Sequence, residues 1–247
     1  MPLVSVLMSV YDEVDTVAHA IDEVLAVEID GAEIEVIIVE SNSTDGSRDV
    51  VLRYAACPRA RVVLQSEARG KGNAVREALQ SARGDIFLIQ DADLEYDVKD
   101  YPALLTPILR GDADFVLGTR YQQGKPMREI PQAKAVSRTL NIGHWVFAAL
   151  FNVTYQSRLR DPFTMYKVFR SEAIQGISFV SDRFDFDYEL VAKLLRSGYQ
   201  PLEVPVSYEA RGFHGGKKIR LLRDPPTWVV ACLRFRFVRL RPRATDP

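Results

Sequence analysis

Two carboxylates separated by one small residue, Asp91-Ala92-Asp93, are the strongest candidates for chemistry in this sequence. They follow the apolar run at residues 86–89, which is typical of a buried strand. In an extended segment, residues two apart point to the same side, so both carboxylates face one point. Two such oxygen ligands suit Mg²⁺ or Mn²⁺ already chelated by a diphosphate, and Glu95 offers a third oxygen. The alternative is that they are solvated turn acids that cap the next element.

Acids also follow the first two strand-like runs. Tyr11-Asp12-Glu13 comes after residues 4–10, and Glu40 opens a polar run at residues 40–46. A carboxylate placed there can accept hydrogen bonds from a nucleobase N–H or from ribose hydroxyls, and Tyr11 can cover the base. Helix capping explains Asp12 and other polar residues of these turns, Ser43 and Asp45, equally well.

A third polar turn, Arg69-Gly70-Lys71-Gly72-Asn73, brings Lys71 near a phosphate or is simply a glycine-lined helix start. It lacks the spacing of a phosphate-binding P-loop. The first two turns have no Gly-x-Gly-x-x-Gly fingerprint, which argues against a nicotinamide or flavin enzyme.

The elements that must position these residues alternate between strands and helices. We expect strands at residues 4–10, 33–39, 61–64, 86–89 and 115–118, with apolar helical faces between them, as at Val17, Ile21 and Val24. This alternation predicts βαβ units and a mainly parallel sheet, with ligands at the carboxyl ends of its strands. Further on we expect a helix at 134–151, a strand at 165–169, a helix at 188–197, a strand at 202–208 and a helical segment from Pro226 to about residue 240.

Length and composition favour one large α/β domain. The 247 residues are 47% hydrophobic, and the two cysteines, Cys57 and Cys232, lie far apart without metal-binding spacing, which fits a reducing compartment. We expect no signal peptide, because acids interrupt the first apolar run, and no membrane span, because the longest apolar runs are too short.

The charge is distributed unevenly although its net value is −1. Residues 211–243 hold ten Lys and Arg against one acid, Asp224, whereas the rest of the chain is acidic. The basic end therefore predicts an anionic partner for the tail. A nucleic acid is a poorer partner, because the basic stretch is confined.

Taken together and in order, these motifs resemble the inverting glycosyltransferases with the glycosyltransferase A fold. Within that family they are most similar to the branch of dolichol-phosphate mannose synthases and polyprenyl-phosphate hexosyltransferases. The similarity runs from residue 3 to residue 220 and lies in residues 6–13, 37–46, 69–79, 90–95, 117–121, 161–170 and 198–219. It implies an α/β fold with a central, mostly parallel mixed sheet flanked by helices. Residues 1–220 are then the catalytic domain, and 221–247 a basic, aromatic C-terminal segment.

The resemblance also implies roles for individual residues. The donor-binding residues are Tyr11, Glu13, Glu40, Asn42, Lys71, Asp91, Arg120 and Arg211. The metal ligands for Mg²⁺ or Mn²⁺ are Asp91, Asp93 and Glu95, and the catalytic residues are Asp161 and Asp93. The acceptor side comprises Arg138, Asp187 and Lys217. Arginines suit such a site because they bind phosphate oxygens with two parallel hydrogen bonds.

Asp161 has two possible tasks. With a hydroxyl acceptor it takes the proton during attack on the anomeric carbon. With a phosphate acceptor the nucleophile is already anionic, and Asp161 orients it. A turn aspartate before Pro162 is the structural alternative, just as capping of the next helix is the alternative for Asp187.

The C-terminal segment predicts contact with a membrane surface. Residues 228–241 interleave Trp, Val, Leu and Phe with arginines, which suits the headgroup region of an anionic bilayer, although a helix packed on the core is the alternative. A glycine-containing loop at residues 215–219 resembles a family loop that folds over the active site. We expect a cytoplasmic protein, peripheral at the inner face of a membrane, with a separate membrane subunit or a homodimer as possible partners.

The expected reaction is metal-dependent transfer of a hexose, with inversion, from a GDP-mannose- or UDP-glucose-type donor to a polyprenyl phosphate. One alternative is the same transfer to a hydroxyl of a soluble glycan or natural product. A nucleotidyltransferase and a non-catalytic sugar-nucleotide-binding subunit are further alternatives from other functional classes.

Overall fold

Seven strands form one mixed sheet in the described part of the chain, with helices on both faces. The computed structural model describes residues 1–122, 126–129, 133–210 and 224–238. The strands are β1 (Leu3–Val10), β2 (Glu33–Glu40), β3 (Ala60–Leu64), β4 (Ile86–Asp91), β5 (Phe115–Thr119), β6 (Lys167–Arg170) and β7 (Leu202–Pro205). The helices are α1 (Val17–Ala26), α2 (Ser47–Leu52), α3 (Lys71–Ser81), α4 (Tyr101–Leu109), α5 (Lys134–Tyr155), α6 (Asp185–Arg196) and α7 (Asp224–Phe237).

The strand order is β3-β2-β1-β4-β6-β5-β7, and only β6 runs against its neighbours. The carboxyl ends of the other six strands therefore meet at one edge of the sheet, where the chain entering β6 also lies. Tyr11, Glu40, Asp91 and Arg120, which the sequence predicts as site residues, lie at this edge, as expected for an open α/β sheet.

The sheet divides the core into two layers. On β1, Val6 and Met8 face the layer formed with α1 and α4, whereas Leu7 faces the layer formed with α3, α5, α6 and α7. Because both faces of the sheet are covered, the central strands are nearly continuous apolar runs in the sequence. The expected mostly parallel mixed sheet flanked by helices is confirmed.

The predicted strands of the first half match the structure to within one residue at most ends, and differences are larger in the second half. The expected strand 165–169 begins only at Lys167, because Met165 donates its backbone N–H to the hydroxyl of Tyr96 instead of to a strand. The expected strand 202–208 ends at Pro205, since Ser207 already donates its backbone N–H to Asp100. Helices α2 and α4 were not predicted.

The described part of the C-terminal segment packs on the core. Helix α7 buries Ala231, Cys232 and Phe235 in the layer that contains α5 and α6. The division of the chain at residue 220 stays a prediction. In the residues that the structure describes, no helix has the length and apolar character needed to cross a membrane.

Gly118 tests the packing between β5 and the chain entering β6. A Cβ atom there would lie 2.7 Å from Cβ of Tyr166 and 2.9 Å from Cγ1 of Val206. We expect Gly118→Ala to lower the free energy of unfolding by about 1–3 kcal/mol, the usual cost of overpacking, in urea denaturation.

Gly143→Ala, on α5, is the matched control, because a Cβ atom at Gly143 would meet nothing within 4 Å. Alanine should leave stability there unchanged or raise it by up to about 1 kcal/mol. Equal effects at both positions would contradict the packing assigned to Gly118.

Candidate active site

The loops after β1 and β2 are tied together by hydrogen bonds between them. Asp12 donates its backbone N–H to Oγ of Ser43 at 3.0 Å and accepts from the backbone N–H of Thr44 at 2.8 Å. Glu13 donates its backbone N–H to Oγ of Ser47 at 2.8 Å. Asp12 adopts a positive φ of 48° to make these contacts. The two loops thus form one preorganised surface at the carboxyl edge of the sheet.

Four of the predicted donor-binding residues lie at different depths in this surface. Tyr11 is 38% exposed and Asn42 is exposed, whereas Glu13 is half-buried. Glu40 is fully buried; it accepts a hydrogen bond from the backbone N–H of Ser43 at 2.6 Å and pairs with the guanidinium of Arg48. The carboxylate of Glu40 therefore holds its own loop, and the exposed members of the set are Tyr11 and Asn42.

Lys71 is the first residue of α3, and its Nζ lies 2.5 Å from the carboxylate of Asp91. Burial lowers the pKa of Lys71, but the nearby Asp91, Asp187 and Asp93 raise it more, so its pKa lies above the ordinary value. The helix start is glycine-lined because the chain is crowded there. A Cβ at Gly72 would lie 2.6 Å from the carbonyl oxygen of Ser181.

Asp93 and Glu95 follow Asp91 on the same edge. Asp93 accepts a hydrogen bond from the backbone N–H of Glu95 at 3.1 Å, and Glu95 accepts one from the hydroxyl of Tyr208 at 2.8 Å. Carboxylate oxygens are the type of ligand that hard divalent cations such as Mg²⁺ prefer. However, the described residues contain no group of three His, Cys, Asp or Glu side chains arranged to hold a metal ion. Asp91, Asp93 and Glu95 are thus not a complete ligand set by themselves.

The predicted catalytic residue Asp161 forms a buried ion pair with Arg120. The guanidinium donates Nε and Nη2 to the two carboxylate oxygens at 2.8 and 2.7 Å, and the backbone N–H of Arg120 adds a third bond at 3.0 Å. Burial raises the pKa of Asp161, but the charge and hydrogen bonds of Arg120 outweigh it and hold that pKa well below its usual range. Asp161 is therefore a very weak base in this arrangement.

His144, on α5, lies against the same pair with Nδ1 3.9 Å from Asp161. Its Nε2 is 2.9 Å from the carbonyl oxygen of Arg160. This contact favours the neutral tautomer that carries its proton on Nε2, since a carbonyl oxygen only accepts. Burial lowers the pKa of His144, Asp161 raises it and Arg120 lowers it, and the net pKa lies below the ordinary value.

A second arginine, Arg128, lies beside Arg120 and was not predicted. Its backbone is held by two hydrogen bonds to the side chain of Asn141 on α5, at 3.1 and 2.9 Å. Burial lowers the pKa of Arg128, and repulsion from Arg120 lowers it further. Arg138, the predicted acceptor-side arginine, is exposed on α5, and its role stays a prediction.

Asp187, also predicted on the acceptor side, pairs with the buried Lys167 at 2.7 Å. Lys167 also donates to the backbone carbonyl of Thr164. Burial lowers the pKa of Lys167 below its ordinary value, although Asp187 raises it. Lys167 interacts electrostatically with both Lys71 and Asp161, so it links the two charged ends of the site.

The remaining predicted residues, Arg211 and Lys217, lie outside the described residues. The structure also adds residues that the sequence did not reveal, namely Arg48, Tyr96, Arg128, His144, Lys167 and Tyr208. Tyr96, Arg128 and Tyr208 lie outside the helices and strands. Arg48 and His144 lie on α2 and α5, and Lys167 is the first residue of β6, so no shared local pattern marked these six residues.

The sequence matches the family described as Glycosyl transferase family 2 over residues 5–177. The chain belongs to this family. The match contains both charged ends of the site, from Lys71 and Asp91 to Arg120 and Asp161. The prediction of a glycosyltransferase is thereby confirmed, and the nucleotidyltransferase and non-catalytic alternatives lose their support.

Named relatives agree with this family. The family 2 chain is 28% identical over 222 residues to glycosyltransferase AglJ of Haloferax volcanii, covering 90% of this chain and 68% of AglJ. It is 24% identical over 222 residues to a dolichol-phosphate mannosyltransferase of Pyrococcus furiosus, covering 88% of this chain and 59% of that protein. Against two further Haloferax volcanii relatives, glycosyltransferase AglD and hexosyltransferase Agl6, the chain spans only 35% and 48% of the relative's length.

A solved structure shows the same fold. Glucosyl-3-phosphoglycerate synthase from Mycobacterium tuberculosis, in complex with UDP, superposes with a TM-score of 0.67 at 20% identity. The match covers 96% of this chain and 81% of that one. Other crystals of that synthase contain UDP with Mn²⁺ and phosphoglyceric acid, or UDP with Mg²⁺. The predicted glycosyltransferase A fold is confirmed.

Breaking the buried pair tests its contribution to this family 2 structure. Asp161→Asn leaves Arg120 charged and partly unpaired away from water, so we expect the free energy of unfolding to fall by about 3–5 kcal/mol. Asp112→Asn, at an exposed carboxylate, is the matched control and should change it by no more than about 0.5 kcal/mol. Denaturation followed by circular dichroism measures both. If Asp161→Asn lowered the free energy of unfolding by less than about 1 kcal/mol, Asp161 would not be a carboxylate paired with Arg120 away from water.

The lowered pKa of His144 predicts a pH dependence of stability. As pH falls below about 6.5, the unfolded chain takes up the proton before the folded chain does. The stability present above that pH is therefore progressively lost, by at most about 1.4 kcal/mol per pH unit for this residue. We expect His144→Gln to flatten the curve of unfolding free energy between about pH 7 and pH 5. His19→Gln, on the exposed surface of α1, is the comparison, and parallel curves for His144→Gln and wild type would refute the assignment.

Proposed function

We propose that this chain transfers a hexose, with inversion, from a GDP-mannose- or UDP-glucose-type donor to a polyprenyl phosphate. The observation that carries the proposal is the state of Asp161. A buried carboxylate held by Arg120, with a pKa well below its usual range, is poorly suited to removing a proton from a hydroxyl. A phosphate acceptor needs no such base, because its oxygen is already anionic.

The arginine pair supports an anionic acceptor independently. Arg120 and Arg128 repel each other, and within the described residues Asp161 is the carboxylate that pairs with either guanidinium. The surplus positive charge suits a phosphate, which arginine binds with charge-assisted hydrogen bonds. We therefore assign Arg128 to the acceptor phosphate together with Arg120, which the resemblance had placed on the donor side. Asp161 is the positioning residue that holds Arg120.

The opposite end of the site suits the donor. Tyr11, Glu13 and Asn42 lie on the preorganised loops for the nucleoside, and Lys71 lies beside Asp91 for the diphosphate. Asp91 and Asp93 would hold Mg²⁺ or Mn²⁺ through their carboxylate oxygens, and the donor diphosphate and water would complete the ligand set. When bound, the ion neutralises charge that develops on the leaving diphosphate.

The proposed reaction needs no proton acceptor, because the attacking phosphate oxygen is already anionic. An acceptor phosphate oxygen attacks the anomeric carbon from the face opposite the nucleotide, and a new C–O bond forms. The bond between that carbon and the β-phosphate oxygen breaks, and its electron pair leaves with the nucleoside diphosphate. Lys71 contributes positive charge near the leaving group, where preorganised electrostatics are most effective.

A second candidate is the same transfer to a phosphate oxygen of a soluble phosphorylated acceptor. Arg120 and Arg128 recognise the phosphate and not the group attached to it. The solved synthase with the same fold binds phosphoglyceric acid, which is such a molecule. A lipid and a soluble acceptor are therefore to be compared in one assay.

Transfer assays with Arg128→Gln test the acceptor assignment. The assay supplies Mn²⁺ with GDP-mannose, UDP-glucose or UDP-GlcNAc, together with a short polyprenyl phosphate or 3-phosphoglycerate. Loss of one charged contact predicts a fall of about 10- to 100-fold in kcat/KM for the acceptor, while hydrolysis of the donor in its absence is unchanged. Asp93→Ala should reduce both reactions and their response to added Mn²⁺.

The matched control is Arg110→Gln, at an exposed arginine after α4 on the opposite edge of the sheet. It should behave as wild type. Sugar recovered in the lipid fraction supports the main proposal, and sugar on 3-phosphoglycerate supports the second candidate. Transfer to a neutral hydroxyl acceptor, with Arg128→Gln fully active, would overturn the assignment of a phosphate acceptor.

A further inference from the structure

Helix α5 exposes an apolar stripe along its outer face. Ile142, Val146 and Val153 are 58%, 61% and 80% exposed, and Trp145 beside them is 43% exposed. With the exposed Ala149, and apart from the adjacent pair Trp145 and Val146, they follow a spacing of three or four residues, which places them on one side of the helix. The other side, with His144, Ala148 and Phe151, is buried in the core. The stripe is therefore a second apolar face that no described part of the chain covers.

The neighbouring helix α7 repeats this feature. It packs beside α5, where the hydroxyl of Tyr155 donates to the carbonyl oxygen of Cys232 at 2.7 Å. Its residues Val230, Leu233 and Phe237 are exposed at helical spacing, the last of them to 82%. Elsewhere in the described residues the exposed large apolar side chains are scattered singly, which is ordinary for a protein surface.

The charges on these helices are of one sign. Helix α5 contains Lys134 and Arg138 and no acid, and α7 adds the exposed Arg234 and Arg236 with a single acid at its first residue, Asp224. Apolar side chains flanked by lysine and arginine, with an exposed tryptophan, match the headgroup region of an anionic bilayer. A protein partner is compatible with apolar exposure alone, but the uniform positive charge favours anionic lipid.

The stripe also adjoins the proposed acceptor end of the site. Trp145 packs edge-to-face on Tyr121, next to Arg120, with ring centroids 5.9 Å apart, and on His144 at 5.5 Å. His144 in turn lies against Asp161. A bilayer in contact with α5 is therefore adjacent to the arginines that we assign to the acceptor phosphate.

We infer that the outer face of α5, defined by Ile142, Trp145, Val146, Ala149 and Val153, docks onto the surface of an anionic bilayer. The helix lies in the plane of the headgroups, with its apolar side chains among the acyl chains and its cations at lipid phosphates. This inference rests on the proposed function, since a lipid-linked acceptor is the reason to hold the site there. The contact is reversible and weakens as salt screens the charges.

Vesicle sedimentation tests the docking surface. Wild-type protein should bind phosphatidylcholine vesicles that contain phosphatidylglycerol, and bind pure phosphatidylcholine more weakly. The triple variant Ile142→Gln, Val146→Gln, Val153→Gln should bind the anionic vesicles about tenfold more weakly or worse, because its apolar side chains no longer enter the bilayer. The matched control, Leu52→Gln, Val180→Gln, Leu202→Gln, removes three exposed apolar side chains outside α5 and α7 and should bind as wild type.

Fluorescence locates the contact on α5 itself. The chain has two tryptophans, so Trp228→Phe leaves Trp145 as the single reporter. Its emission should shift to the blue with anionic vesicles and be quenched by brominated lipid. No wild-type binding, an unchanged Trp145 spectrum, or equal binding by both triple variants would overturn the inference. So would a wild-type dimer in light scattering that the α5 triple variant abolishes, because a second copy would then occupy the face.

Activity separates this inference from the proposed function. The α5 triple variant should transfer sugar to a water-soluble, short-chain polyprenyl phosphate at the wild-type rate, and to a long-chain acceptor embedded in vesicles about tenfold more slowly. Vesicle binding without transfer to any polyprenyl phosphate would overturn the proposed function and uphold the docking surface. Transfer to the embedded acceptor at equal rates by both proteins would overturn the docking surface and uphold the proposed function.

Discussion

A guanidinium and a carboxylate removed from water must satisfy each other, and the carboxyl edge of this sheet is arranged around one such pair. Arg120 and Asp161 are buried and joined by two side-chain hydrogen bonds and one backbone bond. Taking both charges out of water is costly, and a poorly oriented partner would not offset that cost. The surrounding chain fixes the orientation, since Glu203 accepts the backbone N–H of Asp161 at 2.7 Å and Gly118 admits the segment that follows it.

The same pair connects the strand ends to one another. The ring of Tyr208 lies 5.3 Å from the guanidinium of Arg120, and its hydroxyl donates to Glu95, beside Asp93. The ring of Tyr96 packs at a tilt against that of Tyr208, with centroids 5.1 Å apart, and its hydroxyl accepts the backbone N–H of Met165. The segment after β4 and the segment before β6 are thus joined through aromatic side chains. These contacts hold the two segments in one fixed arrangement, which suits a site that must align two substrates.

Paired charges recur along this edge, and they explain how a polar site stays ordered. Lys71 pairs with Asp91, Lys167 with Asp187, and Glu40 with Arg48. Each pairing fixes a side chain before any ligand arrives, so less reorganisation is needed on binding. Arg128 differs from these residues, because its strongest interaction with a charged group is repulsion from another cation, Arg120. An imbalance of this kind, at a partly buried arginine beside a buried ion pair, marks a candidate functional site.

The sequence by itself determined the strand and helix pattern of the first half, the placement of Asp91 and Asp93 at a strand end, and the family. Those features depend on local periodicity and on residues close together in the chain. Only the tertiary structure decided that Asp161 holds Arg120, 41 residues away, that Glu40 turns inward to Arg48, and that Arg128 joins the site. The physical reason is that burial and pairing of charges depend on which segments the fold brings together. A carboxylate looks the same in the sequence whether it faces solvent or an arginine, and only packing distinguishes the two.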